Sequence, residues 1–515
     1  MVIEKTKNAA RNVFWGVTNK ALRLLAQFAV RAIIIRTLGE AFLGLDSLFT
    51  SVLSMLSLAE LGIGTALVFN MYKAIAEDDG ERICALMLFY KKCYRVIGFV
   101  VLGVGLVLLP FVPYLVGEGL PDGVNVYILY LINLAGVVST YFLFAYKNCL
   151  LDAFQRNDLS SKIEILCGVL QYGAQIALLL VLKDYYVYLT VVPCGKILQN
   201  CFTAIVVGRR YSQFRPFGAL SKEYKKQIFT KVKALITYKI GNVVSNSVDN
   251  IVISVFLGLA VLAKYGNYYY VITTLFTLLQ IYYNAITAGI GNSVVVSSVG
   301  DNYANFKTLM LMQSWICGFC AVGLLTIYQD FITLWMGKDM LFETGVVFCL
   351  VAYFYCWKIQ DVVYIYKDAL GMWEKDKWRP LVSAGCNLVL NIASVRFIGI
   401  YGIILSTAVC CLFIDLPWGT SVLFKNYFKV KTSAYYLRLV LYALFNAVVC
   451  ALCFFICGLI RAEGAVWYSA LMIIVKGVIC FAVYNIAFFI AFFKTAEFRT
   501  VACKVKNLLF KGRAK

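Results

Sequence analysis

Long apolar blocks separated by short polar stretches run along almost the whole chain. Each block has about 18 to 25 residues, the length that an α-helix needs to cross the hydrocarbon core of a bilayer. A helix satisfies its own backbone hydrogen bonds in lipid, so the pattern predicts an all-α polytopic membrane protein. The predicted spans number fourteen and cover residues 12–35, 45–69, 96–115, 124–146, 163–182, 186–207, 240–257, 268–290, 311–335, 345–366, 381–395, 401–424, 439–460 and 465–493.

Lysine and arginine are distributed unevenly over the segments between these spans. If the N-terminus is cytoplasmic, the segments on that side carry 36 of the 48 residues, the opposite loops carry 6 and the spans carry 6. The positive-inside rule therefore predicts that both termini are cytoplasmic. The loops on the outer side are very short, so we expect no extracellular domain.

The largest loop, residues 208–239, divides the chain into two halves that look related. The first span of each half ends in Leu-Gly, at Gly39 and Gly258, and both spans run in the same direction. Such a parallel repeat is common in transporters. We predict a six-helix bundle at 1–207, a basic cytoplasmic linker at 208–239, a second six-helix bundle at 240–424, and two additional transmembrane helices with a basic tail at 425–515. The linker is either a helix on the anionic inner leaflet or a plain connection.

The net charge of +21 could suggest a nucleic-acid partner, but the cations lie between apolar blocks and form no separate basic domain. Histidine is absent, which excludes imidazole catalysis and imidazole metal ligands. The sequence contains no P-loop, nucleophile elbow or dinucleotide-binding turn. We therefore expect no catalytic residues, no cofactor and no metal. Transport would draw on an ion gradient, the membrane potential or the gradient of the substrate itself.

Most of the 18 cysteines fall within apolar blocks. Cys317 and Cys320 have the C-x-x-C spacing of thioredoxin-like redox proteins, but they lie in an apolar helix without a βαβ context. Packing of small apolar side chains is the preferred interpretation.

Polar residues form a stripe on the first span. Lys20, Arg23, Gln27 and Arg31 follow one another at helical spacing, so they share one face. Such a face is costly in lipid and should line an aqueous, strongly positive cavity that suits an anion. The alternative is that the cations pair with acids on neighbouring helices. Glu60 in the second span lies at a matching depth and is predicted to offset Lys20 or Arg23.

Polar residues recur in later spans. Asn246 and Asp249 share one side of the seventh span with Asn242 and Asn250, and Asn284 lies in the eighth with Gln280 and Thr287. These residues either line a cavity or join helices through hydrogen bonds. In the tenth span, Lys358 and Asp361 lie one turn apart and are predicted to form a local ion pair.

The segment from Ile35 to Arg95 resembles the bacterial polysaccharide-export (Wzx-type) flippases. Its most specific part is the motif LSLAELGIG at residues 56–64, followed by a charged cytoplasmic helix. The opening KNAARNVFWG at residues 7–16 carries the same resemblance. The chain is thus similar to members of the multidrug/oligosaccharidyl-lipid/polysaccharide exporter (MOP) superfamily. The resemblance implies a V-shaped pair of six-helix bundles around a central cavity, in the bacterial cytoplasmic membrane.

The resemblance also implies a function. The expected cargo is an undecaprenyl-diphosphate-linked oligosaccharide, flipped from the inner to the outer face for surface polysaccharide synthesis. Membrane lipids and the glycosyltransferases and polymerase of the pathway would be partners. The residues expected to contact the cargo are Lys20, Arg23, Gln27, Arg31, Glu60, Asn246, Asp249 and Asn284. The alternatives are a cation-coupled drug exporter, a peptidoglycan-precursor flippase, or a membrane polysaccharide polymerase or ligase, which would need a large outer loop.

Overall fold

The computed structural model describes residues 5–60, 63–460 and 464–511, and the regular elements in these residues are all helical. The predicted all-α fold class is therefore confirmed. The helices are α1 (Lys5–Thr37), α2 (Glu40–Leu56), α3 (Ile63–Ala76), α4 (Gly80–Leu108), α5 (Val112–Val116), α6 (Val126–Phe142), α7 (Asn148–Ala153), α8 (Asn157–Leu182), α9 (Tyr185–Arg210), α10 (Lys222–Val296), α11 (Val299–Met336), α12 (Thr344–Ile359), α13 (Asp361–Ala369), α14 (Trp373–Asp376), α15 (Arg379–Ile398), α16 (Ile400–Cys410), α17 (Leu416–Leu423), α18 (Ser433–Gly458), α19 (Val466–Phe492) and α20 (Ala496–Lys511).

Short polar residues define where several helices begin. The Asn125 side chain accepts hydrogen bonds from the first amides of α6, and Asp184 does the same for α9. Ser298 caps α11. Such side chains satisfy N–H groups that have no partner within the helix. Gly39, with a φ of 104°, separates α1 from α2 in a backbone conformation that residues with a side chain rarely adopt.

The described part of the chain contains ten helical stretches that are long and apolar enough to cross a bilayer. The number is eleven if α6 and the bent segment that follows it count as one span. Helices α1 and α2 are outside this set, because α1 carries the charged stripe and α2 has only 17 residues. The chain is a multi-pass membrane protein, and the number fourteen stays a prediction.

Helix α10 is longer than the sequence pattern predicted. Its only residue with non-helical backbone angles is Gly258, with a φ of 82°. Residues 259–267, expected in an outer loop, are therefore helical. The basic stretch from Lys222 onward is helical and continues into the following span, and its predicted place on the inner leaflet or as a plain connection stays a prediction. The stretch is helical because it lacks glycine and proline, and charged residues such as lysine and glutamate favour helix.

The chain divides into two compact units, Met1–Gly266 and Asn267–Lys515. In the first unit, α8 packs along α1 and α9, and α6 packs between α4 and α9. In the second unit, α11 is central and contacts α12, α18 and α19, while α15 packs against α16. The two predicted additional helices, α18 and α19, thus pack directly on α11. The predicted domain limits at 207, 239 and 424 stay predictions.

Candidate functional site

The polar stripe of α1 lies against α8. The Asn19 side-chain amide donates a hydrogen bond of 2.6 Å to Glu164, and an Arg23 guanidinium nitrogen lies 3.7 Å from the same carboxylate oxygen. One turn further along, the Gln27 amide donates to the Tyr172 hydroxyl at 3.4 Å. The alternative of pairing with an acid on a neighbouring helix is therefore correct for Arg23, and the acid is Glu164.

The pairing leaves much of Arg23 accessible. Its side chain is 49% exposed, and 3.7 Å is longer than a hydrogen bond. Lys20, one turn away, is exposed as well. On α9, Lys196 lies close enough to Arg23 and Glu164 to interact with both electrostatically. These cations form a basic surface, defined here by Lys20, Arg23 and Lys196, in which Glu164 supplies one compensating charge.

Arg31 occupies a different environment at the far end of the stripe. Its guanidinium interacts electrostatically with Asp46 of α2, and it lies beside Gly266, where a Cβ atom would be 3.1 Å from it. The stripe is therefore less strongly positive than predicted, because both of its arginines have acidic neighbours. The helical spacing within α1 could not identify these acids, since they come from two other helices, α8 and α2.

Glu60 has partners other than the predicted ones. It accepts hydrogen bonds from the hydroxyls of Tyr94 and Tyr141, at 3.1 Å for Tyr141. The Tyr90 hydroxyl in turn donates to Tyr94 at 2.9 Å. The prediction that Glu60 offsets Lys20 or Arg23 is therefore wrong. Equal depth along two spans does not make residues neighbours, because each helix also has a rotation that the sequence leaves open.

A cavity of about 660 Å³ lies beside Glu60 within the first unit. Among the described residues, its wall combines carboxylates, tyrosines and side-chain amides with one lysine, Lys196. Lys196 therefore belongs both to this cavity and to the basic surface. The polar residues of the wall are Glu60, Tyr72, Tyr90, Tyr94, Thr140, Asn148, Asp152, Asn157, Lys196, Gln199 and Asn200. We call this space the tyrosine–carboxylate cavity.

The remaining predicted site residues lie elsewhere. The side chain of Asn246 is outside the described residues, as are Leu61 and Gly62 of the motif at 56–64. Asp249 is buried in the first unit, and Asn250 beside it donates a hydrogen bond of 2.8 Å to Ser51. Asn284 belongs to the second unit, is exposed, and accepts a hydrogen bond of 2.9 Å from Gln280.

Charged residues of the second unit form ion pairs. The predicted pair between Lys358 and Asp361 is confirmed, with 2.9 Å between Nζ and the carboxylate. The lysine Nζ also lies 4.2 Å from the centre of the Phe276 ring, a cation–π contact. Lys476 of α19, which the sequence left without a partner, lies 2.5 Å from Asp330 of α11.

A buried network in the second unit was not predicted. Asp376 binds both Lys367 and Arg379, and Arg379 reaches on to Asp415, which also accepts a 2.8 Å hydrogen bond from Ser383. Two acids and two bases balance the charge. The pattern gave no signal, because three of the four charges were assigned to a cytoplasmic loop. The network joins α13, α14, α15 and the π-helical segment Cys411–Asp415 before α17, and its contacts between these elements give it a structural role.

Comparison with known proteins identifies the fold. Over 94% of this chain and 100% of the other, the structure is similar to the lipid II flippase MurJ in an inward closed conformation, with a TM-score of 0.62 and 14% sequence identity. The chain has the fold of MOP superfamily transporters.

Two further structures support this. An inward-facing multidrug resistance MATE family transporter of the MOP superfamily matches with a TM-score of 0.62 and 15% identity, over 78% of this chain and 96% of the other. A MOP superfamily transporter from Pyrococcus furiosus matches with a TM-score of 0.50 and 14% identity, over 81% and 96%. No family model and no curated protein matches the sequence. At these identities the likeness shows the fold, in agreement with the superfamily resemblance of residues 35–95.

Proposed function

We propose that this chain is a flippase that moves a polyprenyl-diphosphate-linked oligosaccharide from the inner to the outer face of the bacterial cytoplasmic membrane by alternating access. The observation that carries the proposal is the basic surface of Lys20, Arg23 and Lys196 on a chain with the MOP transporter fold. The similarity to a lipid II flippase over the full length of that chain supports a lipid-linked cargo.

The basic surface has the chemistry that a diphosphate requires. Arginine offers a planar fork of N–H donors that matches phosphate oxygens, while lysine adds a compact positive charge. Asn19 donates a hydrogen bond to Glu164, whereas the Arg23 guanidinium lies 3.7 Å from the same carboxylate oxygen. The guanidinium therefore retains N–H groups that can donate to a phosphate. A diphosphate could therefore bind Arg23 without displacing Glu164 from Asn19.

The cellular role follows from the same proposal. Both termini would be cytoplasmic, the lipid-linked glycan would arrive from glycosyltransferases on the inner face, and a polymerase would use it on the outer face. Charge asymmetry between the two sides of the predicted spans supports this orientation.

The test is a flipping assay in proteoliposomes with a fluorescent undecaprenyl-diphosphate-linked oligosaccharide, whose loss from the inner leaflet is followed by a membrane-impermeant quencher. We expect Arg23→Ala to slow flipping about tenfold or more, because a hydrogen bond to a charged group contributes about 1.5–3 kcal/mol. Arg23→Lys should slow it less, since the charge remains but the fork is lost.

Arg438→Ala is the matched control, because Arg438 is 36% exposed and also has a carboxylate partner, Glu497. It should flip cargo at the normal rate. Normal flipping by folded Arg23→Ala and Lys20→Ala proteins would contradict the proposal.

A second candidate function is export of organic cations. The observation in its favour is the tyrosine–carboxylate cavity, in which Glu60 and Asp152 outnumber Lys196. Rings and carboxylates together attract cations. Uptake of a fluorescent organic cation into proteoliposomes, driven by an imposed ion gradient and absent in Glu60→Gln, would favour this function over lipid flipping.

A further inference from the structure

The tyrosine–carboxylate cavity is lined by two carboxylates, Glu60 and Asp152, whose negative charge its described residues balance only in part. Glu60 is bound by tyrosine hydroxyls, and Asp152 interacts electrostatically with Tyr72 and Tyr90. Within the described residues, neither carboxylate has a lysine or arginine nitrogen at ion-pair distance. With Lys196 in the wall, the formal charges still leave one negative charge in excess. A positively charged group would balance it.

An unsatisfied amide provides a second, independent observation. Asn200 lines the same cavity and is only 8% exposed, and its Nδ2 has no hydrogen-bond partner among the described residues. A buried donor without an acceptor costs about 1–3 kcal/mol. Carboxamide oxygen and nitrogen can be interchanged by a flip of the side chain, but either orientation presents a hydrogen-bonding group to the cavity. A simple ammonium ion offers no acceptor, whereas a sugar offers ring and hydroxyl oxygens.

We propose that the tyrosine–carboxylate cavity binds a sugar that carries a free, positively charged amino group. The ammonium would lie between Glu60 and Asp152 against the tyrosine rings, which attract cations through their faces. Sugar oxygens would accept from Asn200, and sugar hydroxyls would donate to the amide oxygens of Asn148 and Gln199. The cavity volume of about 660 Å³ is within the range of small-ligand sites.

This inference rests on the proposed flippase function and makes the cargo zwitterionic. Lys196 belongs to both the cavity and the basic surface, so the two regions adjoin. The diphosphate would bind at Lys20 and Arg23, and the amino sugar of the same cargo would bind in the cavity. Each region would then select one sign of charge, and a glycan without an amino group would leave the carboxylates uncompensated.

The first experiment measures binding to the full-length protein in detergent by calorimetry, with glucosamine, N-acetylglucosamine, glucose and tetramethylammonium as probes. We expect glucosamine to bind about tenfold or more tightly than the other three. Acetylation removes the charge, glucose lacks the amine, and tetramethylammonium cannot accept a hydrogen bond from Asn200. Glu60→Gln and Asp152→Asn should each weaken glucosamine about tenfold, and Asn200→Ala should weaken glucosamine and glucose alike.

Glu374→Gln is the control, because Glu374 is an exposed carboxylate of the second unit. Thermal unfolding of each variant identifies proteins that fail to fold, and the three cavity variants provide independent tests. Equal binding of glucose and glucosamine would overturn the proposal. Tetramethylammonium binding as tight as glucosamine would also overturn it, in favour of organic-cation recognition.

A flipping assay separates this inference from the proposed function. Proteoliposomes would be given two lipid-linked glycans that differ only in one free or acetylated amino group, and faster flipping of the free amine by wild type but not by Glu60→Gln is expected. If both glycans move at the same rate in both proteins while Arg23→Ala abolishes movement, the amino-sugar site is overturned and the flippase function stands. If no glycan moves in wild type, the flippase function itself fails.

Discussion

Lys476, a charged side chain within a membrane-spanning helix, is held by a specific partner. Lys476 has a side chain only 7% exposed, and Asp330, 25% exposed, lies 2.5 Å away on another helix. A buried charge without a partner is costly because it has lost its hydration. The pair therefore attaches α19 to α11. Lys476 needs its partner more than Asp330 does, because the lysine is less exposed to water.

The pair gives a stability prediction. Asp330→Asn should destabilise the protein, towards the lower end of the about 3–5 kcal/mol typical of a broken buried pair, because Asp330 is partly exposed. Thermal unfolding in detergent measures the effect. Adding Lys476→Met should recover most of the loss, since the uncompensated charge is then gone. If Asp330→Asn alone were as stable as wild type, the prediction would be contradicted, and Lys476 would have to be hydrated or neutral in the absence of Asp330.

Glycine permits close backbone contact between two elements of the first unit. A Cβ atom on Gly44 of α2 would overlap the backbone carbonyl of Leu259 in α10. The Leu259 amide is itself held by a 3.1 Å hydrogen bond to the Glu118 carbonyl, so this part of α10 cannot simply move aside. The Gly258 break in α10, immediately before Leu259, directs the chain into this contact.

The contact predicts a steric effect of one methyl group. Gly44→Ala should lower the stability of the full-length protein by about 1–3 kcal/mol, the usual cost of overpacking. Gly16→Ala is the matched control, because in the described part of the chain a Cβ at Gly16 would meet no neighbouring element within 4 Å. It should be neutral or slightly stabilising, since alanine favours helix over glycine. Equal melting temperatures for the two variants would contradict a tight contact at Gly44.

The orientation of the whole molecule depends on the distribution of lysine and arginine. With 36 of them on one side of the predicted spans and 6 on the other, the N-terminus, the C-terminus and residues 208–239 are expected in the cytoplasm. The fold likeness leaves this orientation as a prediction.

Cysteine labelling in cells tests the orientation. In a chain without its native cysteines, Lys225→Cys should react with a membrane-impermeant maleimide only after permeabilisation. Asp122→Cys, in a predicted outer loop, should react in intact cells and serves as the positive control. Reaction of the cysteine at 225 from outside would invert the predicted topology.

The sequence by itself determined the class of molecule. Apolar blocks of membrane-spanning length have few stable folded states other than helices in lipid, so the all-α fold follows directly from composition and pattern. The motif at 56–64 carried the resemblance to the MOP superfamily. A spacing of three residues was enough to pair Lys358 with Asp361, because α12 and α13 follow each other within one apolar span and keep helical spacing across their junction.

Only the tertiary structure decided which helix faces meet. The stripe on α1 was visible in the sequence, but its acidic partner Glu164 comes from α8, and Glu60 binds tyrosines instead of Lys20 or Arg23. Helical periodicity fixes the angle of a residue on its own helix and leaves the rotation of the neighbouring helix open. The tyrosine–carboxylate cavity likewise combines residues between Glu60 and Asn200, a separation over which sequence spacing carries no information about contact.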